Sequence, residues 1–273
     1  MITIIFAPPR CGKTSLMTHL LNEYAFNSDY NRQMQQEIIH KNANGFDLSI
    51  PQHCVASNYD CVFKRFRYTS RYTRRINPYR LGFKNDFVDT HFTIPYQVTG
   101  ITEAQKYFNS RMSLYYPTWQ SNYYEQHGHN NLNFFLDTQR PMLIDANIRD
   151  LSRFVEVVKL DLDKDRYGKI QGMKWTIRSI DNSSLYDRYM ASGKKDKDCY
   201  IEQEIIANYN VFECYNSQSC KPKFYDGHLT NDFDLDYSQS TDESLQGYID
   251  YLQKNDDELP KGFYQKRSLI GGI

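Results

Sequence analysis

Apolar and polar positions fall into blocks along the first 150 residues. Residues 2–6 (Ile-Thr-Ile-Ile-Phe) are an unbroken β-branched and apolar run, the pattern of a strand buried on both faces. From Lys13 onward, apolar residues recur at Leu16, Met17, Leu20, Leu21 and Tyr24, the spacing of one helix face. Residues 25–52 are polar, with a short amphipathic piece around residues 34–39. The stretch HCVASN (53–58) predicts a second strand. YQVTGITEAQKYFNSR (96–111) begins as a strand and is expected to run into a helix from about Glu103. NLNFFLDTQRP (131–141) is an apolar strand ended by Pro141. Residues 153–162 and 173–180 alternate and flank a polar turn containing Gly168, which predicts a hairpin. Residues 209–217 predict one more strand. From about Asp226 the chain turns acidic, with one helical stretch near residues 243–252. Strands alternating with helices up to about residue 150 predict an α/β fold built on a parallel sheet.

Between the first strand and the first helix stands APPRCGKT (7–14), one residue away from the phosphate-loop pattern G-x-x-x-x-G-K-[ST]. Ala7 holds the place of the first glycine and is the smallest residue that could replace it. Such a loop wraps backbone N–H groups around phosphates at a helix N-terminus, where the dipole favours anions. Gly12 gives the permissive backbone beside Lys13. Lys13 would reach the β- and γ-phosphates, and Thr14 would offer its hydroxyl to a magnesium ion. The candidate nucleotide-binding residues are therefore Ala7, Pro8, Pro9, Arg10, Cys11, Gly12, Lys13, Thr14 and Ser15, and the cofactors ATP and Mg2+. A strand on one side and a helix on the other is the context that separates this motif from a chance match.

The chain has 273 residues, enough for one domain with an appendage, and 33 basic residues balance 33 acidic ones. No global field points to nucleic acid or membrane, so any such signal has to be local. No apolar run approaches a membrane span and no signal peptide is evident, which predicts a cytosolic protein. The six cysteines include no C-x-x-C pair, so neither a metal site nor a disulfide framework is expected.

A phosphate-loop ATPase needs a metal-orienting acid, and commonly an adjacent glutamate as general base, at the tip of an apolar strand. In VTGITEAQ that tip carries Thr102-Glu103, with threonine where the metal carboxylate is expected. Glu103 either keeps the base role or takes the metal role; as an acid at a helix start it would also be unremarkable. Restoring aspartate at Thr102 is expected to raise the rate or the metal affinity. On the next apolar strand, Gln139 is placed to position the attacking water, or merely to cap a turn. Asp137 on the same strand could supply the carboxylate that Thr102 lacks.

Between Cys61 and Asn85 lie eight basic residues and no acid: Lys64, Arg65, Arg67, Arg71, Arg74, Arg75, Arg80 and Lys84. Six aromatics are interleaved among them. Arginines neutralise phosphates and aromatic faces stack unpaired bases, so Arg65, Arg67, Arg71, Arg74 and Arg75 are the candidate nucleic-acid contacts. A solvated helix, or a subunit contact that meets the acidic tail, is the plain alternative.

TQRP followed by LIDANIRDLSRFVEVV resembles the fourth-strand region of the FtsK–HerA superfamily of hexameric DNA pumps. ITEAQKYFNSR, HGHNNLNFFLDTQ and NYNVFECYNSQS resemble the zonula occludens toxin (Zot)-like family of filamentous-phage assembly ATPases. The resemblance covers roughly residues 1–220 and joins four motifs in order. It implies an ASCE/RecA-like P-loop NTPase domain over 1–220, with residues 61–85 as a basic insert. A small β-containing C-terminal extension ends in an acidic arm at 221–273. It further implies a hexameric ring that drives single-stranded DNA or phage nucleoprotein, in the host cytoplasm, with the inner-membrane surface or the virion as its place of work. Lys13 and Thr14 match the nucleotide loop, Glu103 the second acid of the pair and Gln139 the strand-four glutamine. Departures are Ala7, Thr102 and the lack of an arginine in YYEQHGHNN, which leaves Arg111, Arg140 or Arg149 as the trans-acting finger. The family's membrane span and periplasmic tail are also missing, which implies a separate membrane-anchored partner or a packaging role without one. Two rival readings are a P-loop small-molecule kinase and an ATP-binding assembly factor with little hydrolysis.

Overall fold

The computed structural model describes residues 1–46, 48–66, 69–82, 91–111, 118–216, 224–225 and 228–229. Strand β1 (Ile2–Phe6) is buried at every residue and leads through the loop 7–12 into helix α1 (Lys13–Ala25). Helix α2 (Ser28–Ala43) follows, then β2 (Val55–Ser57), β3 (Asp60–Phe66), β4 (Thr69–Tyr72) and β5 (Arg74–Arg75). Two short strands, β6 (Leu81–Gly82) and β7 (His91–Phe92), precede β8 (Val98–Ile101), helix α3 (Thr118–Glu125) and β9 (Asn133–Thr138). Next come α4 (Ala146–Asp150), β10 (Ser152–Lys164), β11 (Ile170–Ile180), α5 (Ser183–Ala191) and β12 (Ile201–Ala207). Three two-residue strands, β13 (Tyr215–Asn216), β14 (Phe224–Tyr225) and β15 (His228–Leu229), lie beyond; β14 and β15 form a small hairpin. The expected helical stretch near 243–252 and the rest of the acidic arm lie outside the described residues.

One sheet runs in the order β12-β11-β10-β1-β9-β8-β2-β5. From β10 to β5 every pairing is parallel, while β11 and β12 add antiparallel strands at one side. Helices cover both faces, which is the α/β architecture on a mostly parallel sheet expected from the alternation of strands and helices. β9 is inserted between β1 and β8, so Ile5 pairs with Asp137 and Ile101 pairs with Leu136. Three strand ends bearing the loop, Asp137 and Thr102 therefore meet along one edge, where ligands of such sheets bind.

The alternation along β1 feeds two cores. Ile5 packs with Leu16, Met17 and Leu21 of α1 and with Trp175 on one face. Ile2, Ile4 and Phe6 pack with Phe134, Phe154 and Tyr186 on the other. Gly100 allows α1 to lie close on β8, since a Cβ there would stand 2.5 Å from Leu21 Cδ1.

Three elements differ from the sequence expectation. The short amphipathic piece at 34–39 belongs to the 16-residue α2, whose buried stripe is Asn31, Met34 and Ile38. A buried asparagine hides that stripe, yet its amide donates to Tyr24 O and Ala25 O and accepts from the Cys54 N–H. The helix expected from Glu103 is a single 3-10 turn at Ala104–Lys106, because Glu103 takes the left-handed conformation at φ 53°. Among the described residues, the strand expected at 209–217 is a 3-10 turn at Val211–Cys214 with only Tyr215–Asn216 extended; the Asn210 side chain caps that turn at the Phe212 N–H. The strand lies earlier, at β12, where Glu202 and Glu204 pair with Arg178 and Lys174 across to β11.

Candidate nucleotide site

The loop from Ala7 to Gly12 turns at two left-handed residues, Arg10 at φ 64° and Gly12 at φ 84°. Gly12 is the N-cap of α1, makes no side-chain cap bond, and no acid stands in the first turn. The helix thus presents its N-terminal N–H groups and dipole without a side-chain anion of its own. Lys13 is buried and its ammonium donates to Pro8 O at 3.2 Å, which folds it back over the loop.

The β10–β11 hairpin presses on the back of this loop. A Cβ at Gly12 would lie 2.8 Å from Leu160 Cδ2 and 3.2 Å from Trp175 Nε1. Trp175, fully buried, donates to Ser15 Oγ at 3.3 Å, and Ser15 Oγ donates to Gly12 O at 2.9 Å. The His19 ring stacks on Trp175 and its Nδ1 lies 2.9 Å from Tyr209 OH; burial pushes the imidazole below its ordinary pKa. Ser15, predicted to contact nucleotide, therefore has its hydroxyl turned to the hairpin side. Gly12→Ala is expected to lower stability by about 1–2 kcal/mol from the left-handed backbone alone, with the Leu160 contact adding to it. A thermal melt and a nucleotide titration check this, and both should weaken together.

Across the strand ends, Thr14 Oγ1 donates to Asp137 Oδ2 at 2.7 Å. Thr102 Oγ1 lies 3.1 Å from both Asp137 oxygens and donates to the pair, and the Glu103 N–H donates to Oδ1 at 2.8 Å. Asp137 is 1 % exposed, and burial pushes its carboxyl above the ordinary range, against the pull of the Thr14 and Glu103 hydrogen bonds. Asn58 fixes Thr102 from behind: the Thr102 N–H donates to Asn58 Oδ1 at 2.9 Å, and Asn58 Nδ2 donates to Thr102 O at 3.1 Å. Glu103 Oε2 accepts from Gln105 Nε2. The residue weighed only as a substitute in the sequence, Asp137, is the one that joins the loop to both neighbouring strands. Asn58 and Trp175 carried no motif and were not anticipated.

Gln139 and Arg140 are exposed just beyond the end of β9, and the Arg140 N–H donates to Thr138 Oγ1 at 3.3 Å. Arg111 is exposed, with its N–H held by Asn109 Oδ1 at 2.9 Å. Arg149 lies in α4, three residues before Ser152, whose partner Ile2 begins β1. Its backbone is thus at the opposite end of the strands from the loop; its Nε is buried without a hydrogen-bond partner, and Nη1 points at Met142 Sδ. Another unanticipated cluster flanks Phe6: the buried Glu156 accepts from Tyr189 OH and Lys194 Nζ, and Lys194 also stands 5.8 Å above the Phe6 ring.

The basic segment forms the β3–β4 hairpin and β5, and it grips α1. Arg65 donates to Phe26 O at 2.9 Å, Arg71 donates to Ala25 O and lies 4.9 Å from the Phe26 ring, and the Lys64 N–H donates to Asn22 Oδ1. Two guanidinium groups at a helix C-terminus complement its dipole. Arg74 donates to Gln97 Oε1, and burial pushes its guanidinium down to about 10. Arg75 pairs with Asp60 at 2.6 Å. Arg67 lies outside the described residues, while Lys64 and Arg65 are exposed.

Among the described residues no helix is long and apolar enough to cross a membrane. No family model and no curated protein matches the chain. Among solved structures, the chain is similar to the N-terminal domain of zonular occludens toxin from Neisseria meningitidis, with 16 % identity over 79 % of this chain and 98 % of that one, at a TM-score of 0.42. It is also similar to the genome packaging NTPase B204 of Sulfolobus turreted icosahedral virus 2 in complex with ATP-gammaS, with 11 % identity over 67 % of this chain and 93 % of that one, at a TM-score of 0.35. For B204, the DNA-packaging ATPase from Sulfolobus turreted icosahedral virus, the values are 12 %, 67 %, 93 % and 0.34.

Proposed function

We propose that the chain binds ATP with Mg2+ at the loop 7–15 and hydrolyses it, as a homo-oligomeric ring that drives phage DNA packaging or virion assembly. The observation that carries the reading is the N-terminus of α1, which has no side-chain cap and opens beside Lys13 beyond the tip of β1. Backbone N–H groups and Lys13 hold the phosphates. The oxygen donors at the strand ends, Thr14 and the neighbouring carboxylates, suit a hard divalent cation, which when bound neutralises phosphate charge. Glu103 takes the proton of the attacking water, and Gln139 at the tip of the adjacent strand orients that water. Arg149, Arg140 or Arg111 serves the site of a neighbouring subunit; the place of Arg149 at the far end of its own sheet favours action across a boundary. The motor and DNA parts of the reading rest on the motif resemblance and on the basic segment.

ATP hydrolysis measured against protein concentration, with and without single-stranded DNA, tests the proposal. The rate per chain should rise with concentration as subunits associate, and rise further with DNA. A DNA-insensitive rate independent of concentration would leave a lone phosphotransferase, and binding without turnover an assembly factor. For the DNA contact, log affinity should fall with log salt at roughly −0.7 per phosphate neutralised. Replacing the exposed Lys64 and Arg65 by alanine should flatten that slope for every sequence alike, because phosphates carry no sequence information. An unchanged slope in an intact oligomer would remove this hairpin from the DNA path.

A further inference from the structure

We propose that Asp137, at the end of β9, holds the divalent cation of the bound nucleotide, in the role expected of a carboxylate at position 102 on β8. The inference rests on the nucleotide reading above and specifies the metal side of that site. Its geometric basis is the meeting of three strand ends. Asp137 is paired with Ile5 of β1, two residues before the loop begins at Ala7, and its Oδ2 lies 2.7 Å from the hydroxyl of Thr14. Thr14 is the loop residue whose hydroxyl is offered to the metal. A carboxylate oxygen and a hydroxyl oxygen side by side are the donor types that magnesium takes, together with phosphate oxygens and water.

Thr102 then has a physical reason to be neutral. Its Oγ1 stands 3.1 Å from both Asp137 oxygens, and Asn58 clamps its backbone from both sides. An aspartate at 102 would put a second carboxylate within about 3 Å of the first, where two like charges cannot both be held cheaply. A threonine there donates a hydrogen bond instead and, with the Glu103 N–H, aims the Asp137 carboxylate at Thr14. The acid thus stands on β9 and the hydroxyl beside it at the end of β8, in direct contact. This reverses the expectation from sequence that aspartate at 102 would simply improve the site.

The test uses the full chain with Mn2+ in place of Mg2+, read by electron paramagnetic resonance in the presence of ADP, beside a fluorescent ATP analogue titrated with and without Mg2+. Asp137→Asn should weaken metal binding about 10–100-fold, while leaving metal-free nucleotide affinity within about twofold of the parent. Thr102→Asp alone should not strengthen metal binding. The double variant Thr102→Asp with Asp137→Thr should bind Mn2+ far better than Asp137→Thr alone, because the carboxylate returns to the same contact from the other side. If Asp137→Asn folds poorly, this pair of variants decides, since the double variant keeps both groups at the site. Parent-like Mn2+ affinity in Asp137→Asn, or a double variant no better than Asp137→Thr, overturns the assignment while nucleotide binding stands. Failure of the parent chain to bind the analogue at all removes the nucleotide reading itself, and this inference with it.

Discussion

Lys13→Ala is expected to reduce ATP hydrolysis to background and to weaken nucleotide binding about 10–150-fold, the equivalent of one charge-assisted hydrogen bond of about 1.5–3 kcal/mol. The ammonium lies folded over the loop on Pro8 O, so it already stands beside the proposed phosphate site. Alanine leaves the helix start intact, because Gly12 forms the cap and Lys13 contributes only that one side-chain bond. Thermal stability without nucleotide should therefore change little, and the protection that ATP gives against unfolding should disappear. Phosphate release and a melt with and without ATP measure the two effects. Turnover unchanged from the parent in a clean preparation would take the phosphate loop out of the chemistry altogether.

Glu103→Gln should leave ATP bound and slow its cleavage by about 10²–10⁴-fold, since the amide keeps the shape and cannot accept a proton. The structure makes this exchange a clean one. Glu103 is anchored by its backbone N–H to Asp137, and that bond does not involve the side chain being changed. Its left-handed conformation, at φ 53°, is one that glutamine adopts at a similar strain. Single-turnover phosphate release beside an equilibrium titration separates cleavage from binding. Normal cleavage in this variant would move the base to another group.

Sequence periodicity located β1, α1, β9 and the β10–β11 hairpin because each buries an apolar pattern, and the place of the motif at 7–14 was legible because it sits between two of them. The α2 helix was only partly legible, since its buried stripe includes Asn31, whose polarity is satisfied by main-chain partners out of reach of any local pattern. At the site, Thr102 looked like a lost acid when considered on its own strand. Its meaning depends on Asp137, which is 35 residues away in the chain and 3.1 Å away in the fold. The support given by Asn58 and Trp175 is likewise long-range, and no spacing rule encodes it. The basic segment was legible as charge. That two of its arginines grip the end of α1 depends on a tertiary contact and could not be seen there.

The position of β1 has a consequence for how the protein is made. Ile2 pairs with Phe134 on one side and with Ser152 on the other, and Gly12 is backed by Leu160 and Trp175. Strand β1 must therefore wait for partners synthesised far later. At roughly 5–20 residues per second, it remains unpaired for on the order of ten seconds while β9, β10 and then Trp175 emerge. Closing such long loops before their contacts form is slow. During that interval an apolar strand lies open to chaperones or to a wrong neighbour, and the loop 7–12 has no back wall. Under the nucleotide reading proposed above, ATP would stabilise only a nearly finished chain, so nucleotide should speed the last stage of maturation and leave the earlier ones untouched.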